Sequence, residues 1–233
     1  MKALLRLLGW QFIILHKNNL INISIAVTVL YASIFFLIKD LPNVDQFLIL
    51  LIYNDPAIIG FLFVGLSIIM EKDNNILPAL FVTPINYHVY LLAKVLALSI
   101  IGWVCASGMA LTLLGTDVAW LHFSAGVFGT CFVFSLVGIF VVSYTTEFLG
   151  FMLRSIPILV LFSLPFLNLF GATDIAILKL SPIQGALNLI AYSFGKTQGS
   201  ISLVWSYGNL LFWSLLFYFG TYRLFVKRLV QSS

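Results

Sequence analysis

Charge is scarce in this chain. Twelve Lys and Arg and eight Asp and Glu make up 9% of its 233 residues, against roughly 25% in an ordinary soluble domain. So few charges exclude a freely soluble globule, and no nucleic-acid partner is expected. Cysteine is nearly absent as well: Cys105 and Cys131 both sit in apolar runs, which argues against a disulfide framework. His16, His88 and His122 are isolated, with no H-E-x-x-H pair to hold a metal. Ser107 and Ser135 lack a nearby base, and there is no Gly-x-Ser-x-Gly turn. No enzyme site, metal or cofactor is therefore read. Nor is there a repeat, a low-complexity linker, or a small-residue cleavage site soon after Lys2 and Arg6.

What the chain does have is apolar length. Hydrophobic residues make up 61% of it, and its mean hydropathy is +1.09. The expected fold class is an all-α membrane protein, a single transmembrane domain over 1–233 with six spans at 20–38, 47–70, 89–114, 121–144, 156–170 and 203–225. Each is near the roughly 20 residues that a ~30 Å hydrocarbon layer requires, and only helices satisfy that much backbone there without a barrel's alternation. With both termini inside, Lys2, Arg6, Lys17, Lys72, Lys94, Arg154, Arg223, Lys227 and Arg228 fall on the cytoplasmic side. Lys39, Lys179 and Lys196 fall outside. That bias predicts cytoplasmic termini in a cell membrane.

The segments between the spans are read individually. Residues 1–19 are expected as an amphipathic helix lying in the membrane interface, or else as a cytoplasmic extension of span one. Asn54-Asp55-Pro56 interrupts span two; Asp55 is either an intramembrane functional acid or a helix cap near the outer surface. Glu147 is expected in a cytoplasmic loop over 145–155, pairing with Arg154 or a partner. Residues 171–202 read as one or two re-entrant or surface helices, or as an ordinary amphipathic loop. Gly102, Gly108, Gly126, Gly129 and Gly138 suit close helix packing, within the subunit or at a dimer interface. The 22 phenylalanines either face lipid or line a path for apolar cargo.

The most informative stretch is Glu71 to Lys94. Glu71, Lys72 and Asp73 carry three of the twenty charges and precede Ile76-Leu77-Pro78-Ala79-Leu80-Phe81-Val82 and Thr83-Pro84. Asp73 or Asn74 caps a helix start, Pro78 is tolerable in its first turn, and Pro84 ends it. The product is a helix of about two turns, too short to cross anything. This stretch resembles the loop after the second transmembrane helix in permeases of type-2 ATP-binding-cassette (ABC) exporters. Glu71, Lys72, Leu77, Leu80, Thr83, Pro84, Ile85, Tyr90 and Lys94 fit the pattern. Asn75 stands where that family has glycine, a mild departure because Asn tolerates a left-handed backbone. Pro78 replaces an acid, which removes a charge that would face a partner.

The resemblance implies a coupling helix at 76–83 that inserts into a P-loop ABC ATPase. It would be contacted through Ile76, Phe81 and Val82, with Glu71 and Lys72 as rim charges and Leu77, Leu80, Thr83 and Pro84 completing the element. It also implies an ATPase dimer, a second permease copy, the lipid bilayer as surroundings, and a drug, peptide or lipid as cargo. ATP hydrolysis must come from elsewhere. Gly195-Lys196-Thr197 mimics a phosphate loop, but Ile190 stands where its first glycine belongs. Two rivals stand beside this reading. One is a haem-exporter permease of the cytochrome c maturation type, for which Trp120 and His122 are the relevant residues. The other is a six-span channel, carrier or intramembrane enzyme working without an ATPase.

Overall fold

A computed structural model describes residues 2–38, 44–81, 86–115, 118–145, 147–170, 175–195 and 202–230. Among these residues every regular element is helical and no strand occurs. Helix α1 is Lys2–Lys17 and α2 is Leu20–Ile38; the turn between them is closed by Asn19 at φ 58°. Next come α3 (Val44–Ile58), a π-helical turn Ile59–Phe63, α4 (Val64–Asp73), α5 (Ile76–Phe81), α6 (Tyr87–Leu114) and α7 (Trp120–Val142). The chain continues through α8 (Phe148–Ser163), α9 (Pro165–Leu169), a 3-10 turn Ala176–Leu180, α10 (Gln184–Ser193), α11 (Leu203–Phe225) and a π turn Val226–Val230.

Five stretches are long and apolar enough to cross a membrane: 20–37, 46–73, 87–112, 120–142 and 148–168. The chain is a multi-pass membrane protein. The sixth expected span is one unbroken helix of 23 residues, α11, but its Trp, Tyr, Ser, Gly and Asn content makes it less apolar than those five.

Span two is not interrupted at Asp55. Pro56 has no N–H to give the carbonyl one turn back, yet helix continues on both sides of it. The register changes instead at the π turn beginning three residues later. Span five begins earlier than 156. Arg154, assigned to a loop from the sequence, lies inside α8 and donates to the Tyr144 carbonyl; Glu147 is the residue just before that helix.

Helix α7 is the hub, packed by α3, α4, α6, α8, α10 and α11. Its small residues allow that. A Cβ on Gly138 would lie 2.6 Å from the Phe61 carbonyl oxygen, and one on Gly60 of the π turn would lie 2.5 Å from that of Cys131. Backbones this close exclude any larger residue. Gly126 and Gly129 are closely packed too, against α10 and Leu210, whereas a Cβ on Gly108 would meet nothing within 4 Å. These contacts place Gly126, Gly129 and Gly138 in packing within the subunit.

The 175–195 region folds into the bundle. The Leu180 carbonyl accepts from Asn209 Nδ2 (3.4 Å) and Trp213 Nε1 (3.0 Å). Those residues stand six and ten positions into α11, about 9–15 Å from its first residue. Helix α10 then packs on α7 and α11 with most of its residues buried.

Candidate functional site

The polar stretch between α4 and α6 is built from the backbone outward. Helix α4 runs on to Asp73, and Asn74 and Asn75 make the turn. Asn75 takes φ 55°, the left-handed conformation that suits Asn at this position. Helix α5 follows with Pro78 as its third residue, inside the first turn where a missing N–H interrupts no helix bond. Leu77 is 1% exposed and fastens α5 to the core, Leu80 is half-buried against it, and Ala79 is exposed. Leu77 therefore faces inward and not toward a partner. Val82, Thr83 and Pro84, together with the side chain of Phe81, lie outside the described residues. Asn86 opens α6 by accepting from the His88 N–H at 3.0 Å.

A polar cluster is drawn from three elements, α1, α4 and α6. Glu71 was expected as a rim charge in the loop. It stands instead in the last turn of α4, 1% exposed, because the helix extends past it. Its Oε1 accepts from Lys94 Nζ at 2.5 Å, and Lys94 is also 1% exposed. The Glu71 Oε2 accepts from the Tyr90 hydroxyl. Lys94 Nζ reaches Gln11 Oε1 of α1 at 3.3 Å. Tyr90 and Lys94 are four residues apart on one face of α6, which is why both meet the same carboxylate. The cluster therefore joins α1, the end of span two and the start of span three. Lys72 is not a free rim charge either; it is half-buried and donates to the Thr145 carbonyl at 3.1 Å.

The sequence marked Glu71, Tyr90 and Lys94 as fits to the permease pattern and Lys94 as a cytoplasmic-side charge, but it did not pair them, and it overlooked Gln11. One signal was present. Lys94 falls inside an otherwise apolar span, where a lysine must be paired.

Asp55 lies within α3 and is fully buried, so it is not a helix-start cap at the surface. Its Oδ2 accepts from Thr28 Oγ1 of α2 at 2.8 Å, and its Oδ1 has no partner among the described residues. Neighbouring Asn54 donates to the Tyr31 hydroxyl at 2.8 Å. His122 sits in an aromatic cluster, bonded through Nδ1 to the Tyr207 hydroxyl (2.8 Å) and edge-on to Tyr192. His88 stacks on Tyr222 with ring centroids 3.5 Å apart, clasping the start of α6 to the end of α11.

A multi-pass helical bundle, with a short surface helix fastened between its second and third spanning helices, is the architecture of an ABC-type permease. The chain belongs to the fluoroquinolones export permease protein family, which it matches over residues 3–233. It is similar to fluoroquinolones export permease proteins of two Mycobacterium tuberculosis strains. Each is 29% identical over 189 residues, covering 77% of this chain and 77% of the relative.

Proposed function

We propose that this chain is the transmembrane subunit of a drug exporter driven by a separate cytoplasmic P-loop ATPase dimer. It would pair with a second permease copy and span the cell membrane six times, α11 included, with both termini inside. The names of its relatives indicate the cargo class, fluoroquinolone-type drugs. One observation carries the coupling: α5 is a short helix fixed to the core by buried Leu77 and packed on α4, the helix whose last turn supplies Glu71 to the pair with Lys94 of α6. Packed helices move as rigid bodies. A push on α5 by a closing ATPase would therefore pass into α4 and α6 together, with α1 carried along through Gln11.

The test is co-purification. Leu80→Asp combined with Phe81→Asp should release the ATPase while the permease still extracts as a folded protein, with drug export lost. Unchanged ATPase capture, or drug efflux from liposomes holding the permease alone, would overturn the reading.

A further inference from the structure

One wall of span two alternates large and small. Tyr53, Ala57 and Phe61 follow at one-turn spacing and share a face, so the methyl of Ala57 stands between two rings. Opposite them, Phe134 comes from α7, Phe162 from α8 and Phe166 from α9. Helix α8 packs on α4 and α7, and a cavity of about 330 Å³ remains between it and α3, lined by all five rings. The rings meet edge to face. Tyr53 lies 5.4 Å from Phe166 at 79° and 6.1 Å from Phe134 at 76°, and Phe61 lies 6.5 Å from Phe134 at 82°. Rings set this way leave faces that they do not cover for one another.

Two polar groups at this cavity are unused. Tyr53 is 2% exposed, yet its hydroxyl makes no hydrogen bond among the described residues. Asn54, which also lines the cavity, gives its amide hydrogen to the Tyr31 hydroxyl, and its carbonyl oxygen has no donor among the described residues. Buried polar groups are nearly always paired, so a hydroxyl left single beside a cavity points to a partner that enters it. No charged residue lines the space, so the part of the occupant that enters is uncharged. The volume is near the lower limit of small-molecule sites, about 300–1,000 Å³.

We propose that this cavity is a cargo site that takes a flat fused arene bearing a carbonyl on its edge. The arene lies between the rings of α3 and those of α8 and α9, and Tyr53 Oη donates to the carbonyl. The inference rests on the drug-exporter reading under Proposed function. Its orientation puts Tyr53 seven residues, about 10 Å, in from the outer end of the span that begins at 46. The two features together select the occupant. A lipid tail would gain the walls and leave the Tyr53 hydroxyl as single as before, and a peptide would bring more polar groups than two side chains can satisfy. An arene with one acceptor uses both the faces and the hydroxyl.

The test is equilibrium dialysis of purified permease in detergent against ciprofloxacin, read by the drug's own fluorescence, with permease-free micelles as the blank and decanoate as competitor. Wild type should bind saturably, and decanoate should not displace the drug. The Tyr53 hydroxyl holds nothing in the fold, so Tyr53→Phe should leave the thermal unfolding midpoint unchanged and weaken binding about three- to tenfold. Leu159 lines the cavity from its rim and is 37% exposed. Leu159→Trp should therefore obstruct the opening from outside the core, weakening binding at least as far with the midpoint unchanged.

No binding above the blank, equal affinity in wild type and Tyr53→Phe, or full displacement by decanoate would overturn the site; the last would make it a slot for lipid tails. A midpoint that falls with Tyr53→Phe would make the hydroxyl structural and overturn its role toward cargo. Dialysis uses neither ATPase nor nucleotide. Drug binding without ATPase capture would sink the coupling reading and spare the site, whereas export undiminished in both variants would sink the site and spare the coupling.

Discussion

Asp55 and Glu71 are both buried acids, and the protein treats them differently. Glu71 receives Lys94 on one oxygen and Tyr90 on the other, with Gln11 completing the lysine's surroundings. Asp55 receives a single hydroxyl, from Thr28, and its second oxygen is left without a partner among the described residues. Burying a charge is costly unless it is paired and hydrogen-bonded. Glu71 meets that condition and holds three helices in one arrangement. Asp55 does not, so folding alone does not account for an acid at this position.

The largest effect should come from breaking the compensated site. Glu71→Gln leaves Lys94 buried as an uncompensated cation, and Lys94→Met leaves the carboxylate with Tyr90 alone. Removing one partner of a buried pair costs about 3–5 kcal/mol. Either variant should markedly lower the thermal unfolding midpoint in detergent. The double variant Glu71→Gln/Lys94→Met should recover most of that loss, because apolar or neutral replacement of both partners is far cheaper than removal of one. Singles that unfold like wild type would end the contrast between the two acids.

A smaller loss is expected where less is made. Thr28→Val deletes the one donor to Asp55 and leaves both carboxylate oxygens unsatisfied, at about 1–3 kcal/mol. Thr28→Ser keeps the hydroxyl and should restore the midpoint. If Thr28→Val proved as damaging as Glu71→Gln, Asp55 would be a structural anchor of the same rank.

Much of the architecture could be read beforehand, for identifiable reasons. α2 and α11 begin and end where expected because polar residues bound a stretch rich in apolar side chains at each. The existence of α5 was legible from the polar turn before Ile76 and from Pro78, but Asp73 and Asn74, expected to cap its start, instead end and cap α4. What escaped were features set by packing. Span five was begun too late because Arg154 looked like a loop charge, whereas the α7 turn offers it the Tyr144 carbonyl. Pro56 suggested a break, but α3 continues through it and a π turn takes up the change of register three residues later. Glu71 looked superficial because its partner is 23 residues away, and its burial becomes visible only once α6 lies beside α4.

The smallest structural effect, and the one that decides what Asp55 is for, should come from Asp55→Asn. The amide has the carboxylate's shape and still accepts from Thr28, so α2 stays attached to α3, the stability should change by less than about 1 kcal/mol and the unfolding midpoint should barely move. What disappears is the capacity to carry charge inside a span, and that is the property expected of an intramembrane acid with a role in transport. Drug export by the reconstituted permease–ATPase complex should fall severalfold while ATPase capture through α5 stays at the wild-type level. Export that survives the substitution would reduce Asp55 to a clamp on α2. Export lost together with the midpoint would show that the amide had disturbed the packing, and Asp55→Glu, which keeps the charge and changes the reach, would then separate charge from fit.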